Sequence, residues 1–92
     1  MSLQPALDTK TEVLRLQVHR LLGYILRRPI GERENPSRTT EPTWDSLKHI
    51  ELMFLLEDHF ELRFSAQEMS EVEDALGLQR MLDRILEARR AS

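Results

Sequence analysis

The 92-residue chain contains no cysteine. Disulfides, thiolate metal sites and a cysteine nucleophile are therefore excluded. No apolar run approaches the ~20 residues of a membrane span. β-branched residues do not alternate with polar ones, which argues against a sheet. Aromatics are scarce, and the arginines outside the middle of the chain are dispersed, with Tyr24 the single aromatic among them. A nucleic-acid surface is not expected. The stretch from Met1 to Thr9 lacks a basic-then-apolar pattern, so a cytoplasmic protein is the expectation. The length suits one domain, 1–92, with a core spanning about 10–88 and frayed ends at 1–8 and 89–92. Folding such a chain buries roughly 60–65% of its unfolded surface, enough for one modest core.

What the chain does have is charge, unevenly placed. Its net charge is −3. Residues 41–74 hold ten Asp or Glu against Lys48 and Arg63, a balance of −8, whereas residues 1–40 stand at +3 and residues 75–92 at +2. An acidic block of this kind is either a solvated face or an attraction for basic partners.

Periodicity predicts four helices. Thr9 and Glu12 fit a capping box, opening a helix to about Arg28. Its apolar face comprises Val13, Leu14, Val18, Leu21, Leu22, Ile25 and Leu26. His19 is read as a surface or boundary residue, Gly23 as a point of close packing, and Pro29 as the stop. A long connection follows, rich in Pro, Ser and Thr, with Ile30 expected to pin it to the core; connections of this length are often functional. Ser65 and Glu68 form a second capping-box match and predict a short helix through about Val72. Leu76 or Gly77 is expected to end it. The last helix is predicted from about Leu78 to Ala88, with Leu78, Met81, Leu82, Ile85 and Leu86 inward. Leu62 and Phe64 are expected to plug the core.

The remaining helix, 46–60, organises the chain. Asp45 suits an N-cap, and Ser46 then falls on the first helical position. There the free N–H groups and the macrodipole favour a phosphate. Leu52, Met53, Leu56 and Phe60 form an ordinary core stripe, with His49 and His59 at its margins. Leu47, Ile50 and Phe54 form a second stripe on the opposite side, mixed with Glu51 and Asp58 and flanked by Glu57. Either the helix is buried on both sides or the second stripe meets a partner. Trp44 is read as a staple residue packing near Lys48 or Leu47, or as a contact for a cargo or partner.

Three roles compete for Ser46. As a hydrolase nucleophile it would have His49 one turn away, but no Gly-rich elbow surrounds it and no oxyanion site is evident. As a helix-start serine it would be chemically silent. As an attachment point it would carry a prosthetic arm. His49 and His59 lie ten residues apart, too far for joint chelation on one helix, and no metal site is expected.

Asp45-Ser46-Leu47, then Ile50-Glu51-Leu52, then Leu56-Glu57-Asp58-His59-Phe60 resembles the acyl carrier protein family, including the peptidyl carrier domains. The link Glu61 to Phe64 and the segment Leu78 to Ile85 are similar to the family's post-helix link and last helix. The resemblance implies an all-α, four-helix carrier bundle with a long first loop and a short third helix. It implies that Ser46 takes 4′-phosphopantetheine from coenzyme A through a separate phosphopantetheinyl transferase, with Asp45 helping to position the serine and the transferase's magnesium. The arm would hold acyl or aminoacyl groups as thioesters, and the chain itself would not be an enzyme. Leu47, Ile50, Glu51, Phe54, Glu57 and Asp58 would form the docking surface for loading and transfer enzymes with basic patches. A monomer is the expectation.

Thr43, Trp44 and Lys48 depart from the family pattern, which often has glycine two residues before the Asp and an acid after the leucine. With the Arg-rich first and last helices, they resemble a specialised, stand-alone carrier. The rival reading is an unmodified helical interaction module that binds a basic partner through the Leu47, Ile50 and Phe54 stripe, with Ser46 dispensable.

Overall fold

The computed structural model describes residues 4–91. These form four helices and no strand: α1 (Gln4–Leu26), α2 (Ser46–Phe60), α3 (Ala66–Glu71) and α4 (Ala75–Ala91). The architecture is all-α. α1 packs against both α2 and α4. One core cluster gathers Val18 and Leu22 of α1, Leu52 and Leu56 of α2, and Leu78 and Leu82 of α4, all essentially inaccessible to water. Phe64 and Val72 close it from the links, and Leu62 and Ile30 pack against its edge.

The helix ends explain where the elements stop. α1 and α2 each end with a residue in the left-handed region, Arg27 at φ 62° and Glu61 at φ 54°. After each, a backbone N–H reaches back five residues: Arg28 N to the Gly23 carbonyl and Leu62 N to the Glu57 carbonyl, both 3.1 Å. Such wraps satisfy terminal carbonyls that have no partner within the helix. Gly23 is needed there, because a Cβ on it would stand 2.8 Å from the Arg28 carbonyl oxygen. α3 begins with the predicted capping box, Ser65 and Glu68 each accepting from the other's backbone N–H.

Four expectations are corrected. Residues 4–8 are helical, so Thr9 lies inside α1 and opens nothing. Pro5 is tolerated because the first turn has no intrahelical use for its missing N–H; Glu12 pairs with Arg15. Residues 1–3 lie outside the described residues. At the other end, 89–91 continue α4. Arg89 reaches across to the carbonyls of Phe60 at 2.7 Å and Glu61 at 2.5 Å, tying the last turn of α4 to the end of α2; Ser92 lies outside the described residues. α4 also starts early, at Ala75, because the Asp74 carboxylate accepts the Gly77 N–H at 2.8 Å and caps the helix ahead of the glycine. Val13, assigned to the inner face of α1, is exposed.

His19, expected at the surface or the boundary, lies on the buried side of that boundary at 9% exposed. The connection between α1 and α2 folds back over it, anchored by Arg15 donating to the Glu32 carbonyl at 2.8 Å. Burial lowers the His19 pKa, with Arg15 adding to the effect and Glu34 opposing it. The rest of the connection is tied down by side chains. Arg28 holds Glu41 at 2.7 Å and Glu34 at 3.1 Å, and its pKa is raised by those two carboxylates, Glu41 foremost. Asn35 accepts the Leu76 N–H at 2.8 Å and donates to Asp74 at 3.1 Å. Ser37 and Asp74 pair as a single antiparallel bridge. The loop is therefore fastened at both the end of α1 and the start of α4.

Candidate functional site

The site is built on the first turn of α2. A turn closed by the Trp44 N–H on the Glu41 carbonyl, 2.9 Å, delivers the chain to Asp45. Asp45 is extended, at φ −89° and ψ −174°, and its carboxylate accepts the Lys48 N–H at 2.9 Å. That is the geometry of an N-cap, and its own carbonyl takes the His49 N–H at 2.8 Å. Ser46 follows as the first residue of α2 and is exposed. Among the described residues its hydroxyl has no hydrogen-bond partner. The amides of the first turn have no partner within the helix and carry the positive end of its dipole, so negative charge is favoured at Ser46.

Beyond Ser46 the two faces of α2 separate. His49, Leu52, Met53 and Leu56 are buried. On the other side Leu47 is 65% exposed, Ile50 47% and Phe54 57%. Three large apolar side chains on one face of a 15-residue helix therefore remain in water. Of the acids beside them, Asp58 is exposed and Glu51 pairs with Lys48 at 3.4 Å. Glu57 is half-buried and has a structural bond: its carboxylate accepts the Phe64 N–H at 2.8 Å, pulling the link under the helix. Phe54, Glu57 and Asp58 share an open groove of about 490 Å³ with Glu61, Leu62 and Arg63. Tyr24 and Arg27 from the end of α1 flank Lys48 and Glu51 in a second groove, about 500 Å³. Neither Tyr24 nor Arg27 stands out in the sequence, because the proximity is between helices.

The other feature that pattern reading missed lies beneath the cap. Trp44 is 2% exposed, a core residue rather than a surface contact. Its indole N–H donates to His49 Nδ1 at 3.1 Å. The other ring nitrogen, Nε2, lies 2.7 Å from the Met69 carbonyl of α3. An indole nitrogen only donates and a carbonyl only accepts, so His49 is neutral with its proton on Nε2. Burial holds its pKa below the ordinary value, partly opposed by the bond to Met69. With both nitrogens engaged, His49 offers no base to Ser46, which is the pairing that a nucleophilic serine would need. His59, by contrast, is exposed and meets Phe60 edge-on. Among the described residues no cluster of three or more His, Asp or Glu is arranged to hold a metal ion, and no helix is long and apolar enough to cross a membrane. The only visible signal for the Trp44–His49 pair was the spacing of an indole and an imidazole across a helix cap.

Comparisons of the chain with protein-family models, with curated proteins and with solved structures find no match.

Proposed function

We propose that this chain is an acyl or peptidyl carrier protein that takes a 4′-phosphopantetheine arm on Ser46. The observation that carries the reading is an exposed serine on the first turn of a capped helix, continued by an exposed apolar stripe on the same helix. The residue pattern from Asp45 to Phe60, similar to that of carriers, supports it. So does the order of elements, with a long first connection and a short third helix, as in an acyl-carrier-like bundle.

The residues present suit the group. Ser46 Oγ would form the phosphodiester bond as the pyrophosphate bond of coenzyme A breaks, 3′,5′-ADP leaves and the serine proton passes to the transferase or solvent. The first-turn amides of α2 would stabilise the negative phosphodiester. Asp45 would hold the serine's backbone by keeping the helix start closed, and its exposed carboxylate would face the transferase's magnesium. The arm's terminal thiol supplies the thioester chemistry. Leu47, Ile50 and Phe54 would anchor a partner enzyme, and Glu51, Glu57 and Asp58 would steer its basic patch. Contacts of this size favour brief docking, as a shuttle needs.

The test is intact mass after incubation with coenzyme A, magnesium and a promiscuous phosphopantetheinyl transferase. The expected outcome is a gain of one phosphopantetheine by the wild-type chain and none by Ser46→Ala, with the helical circular dichroism of the variant unchanged because Asp45 still caps α2. Absence of any gain on a folded wild-type chain would favour the unmodified interaction module, which the exposed stripe serves equally well.

A further inference from the structure

We infer that His49 is a pH-sensitive clamp on the entry to α2: on protonation it releases Trp44 from the core and loosens the segment that leads to Ser46. The inference stands on the Trp44–His49–Met69 chain and does not rest on the carrier reading. In the neutral ring, Nδ1 accepts from the Trp44 indole at 3.1 Å and Nε2 donates to Met69 at 2.7 Å. A proton can enter only at Nδ1. It would set two N–H donors against each other at the Trp44 contact while leaving the Met69 bond intact. The opposed pair is shielded from bulk water, since Trp44 is 2% exposed and His49 6%. A buried donor left without an acceptor is strongly disfavoured. The ring is tethered to α3 through Met69, so the indole is the partner that must yield.

The surroundings determine which way the clamp responds. The direct partners of the ring are Trp44 from the connection and the Met69 carbonyl of α3, and the charged groups that act on it through space are Arg38 in the connection and Glu73 after α3. Arg38 opposes protonation and Glu73 favours it, and burial outweighs both, holding the ring neutral in the folded chain. Once Trp44 swings out the ring meets water and returns toward its ordinary pKa of about 6.5. The clamp is therefore at its most closed well above that value. It opens as pH falls below it, by up to about tenfold per pH unit until the lowered value of the closed state is reached.

Trp44 is the chain's only tryptophan, so its emission reports the clamp directly. Between pH 7.5 and pH 5 the wild-type emission maximum should move to longer wavelength and acrylamide quenching should rise severalfold, with far-UV circular dichroism retained. His49→Gln should remove the change, because the glutamine amide can accept from Trp44 and donate to Met69 without titrating. A buried emission at both pH values, the same shift in His49→Gln, or a shift accompanied by loss of helix would each overturn the proposal. If His49→Gln fails to fold, ring nitrogen chemical shifts of the wild-type chain decide instead. Trp44 accessibility must then follow the titration of His49; if it follows His19 or His59, the clamp does not exist.

Discussion

Two side chains on one helix, two residues apart, behave oppositely. Leu52 is completely buried in the core cluster, while Phe54 stands 57% exposed. The larger and more aromatic of the two is the one left in water, which a helix optimised for stability alone would not do. Leu52→Ala should lower stability by about 2–5 kcal/mol, as for other large-to-small core changes. Phe54→Ala should change it by no more than about 0.5 kcal/mol. Urea denaturation of both variants checks this, and a large loss for Phe54→Ala would mean that the stripe supports the fold. The exposed stripe was legible as a second apolar period. The burial of His19 and the double bonding of His49 were not, because a histidine looks the same in sequence whether its nitrogens meet water, an indole or a carbonyl.

At the scale of elements, the caps that were recognised are those whose two halves lie within one turn of each other. Asp45 with Lys48, and Ser65 with Glu68, are of this kind. The cap on α4 is local too, Asp74 to Gly77, but a glycine in that place has the pattern of a helix breaker, which masks it. Thr9 and Glu12 had the right letters but stood within a longer helix, since nothing in a four-residue pattern excludes helix on its N-terminal side. Gly23 provides a quantitative check. Alanine is intrinsically favoured in a helix by about 1 kcal/mol, so Gly23→Ala would stabilise an isolated helix. Here its Cβ would meet the Arg28 carbonyl oxygen at 2.8 Å, backbone that the wrap at the end of α1 holds in place. The substitution should therefore lower the denaturation midpoint. A raised midpoint would show that the wrap is free to shift.

For the whole molecule, the connection from α1 to α2 is the part that packing alone leaves undetermined. Its apolar anchors are few, chiefly Ile30 at the core edge, buried Pro36 and Trp44. Its order comes from Arg28 gripping Glu34 and Glu41, and from Asn35 reaching the start of α4. Arg28→Met should remove amide hydrogen-exchange protection across 31–41 while α2 and α4 keep theirs, and high salt should partly reproduce the effect in the wild-type chain through screening. Unchanged protection in Arg28→Met would place the ordering in Asn35 and the bridge to Asp74 instead. What the sequence determined by itself was therefore local: the presence of four helices, most of their inner faces, the cap at Asp45 with Ser46 on the first turn, and the stripe of Leu47, Ile50 and Phe54. Helical periodicity and capping are short-range, so the sequence carries them within a few residues of where they act. The course of the long connection, the buried Trp44–His49–Met69 chain and the arrival of Tyr24 and Arg27 beside α2 were decided only in the tertiary structure. Each depends on groups from separate elements meeting, and composition and spacing do not encode which polar atoms will be left facing one another when the core closes.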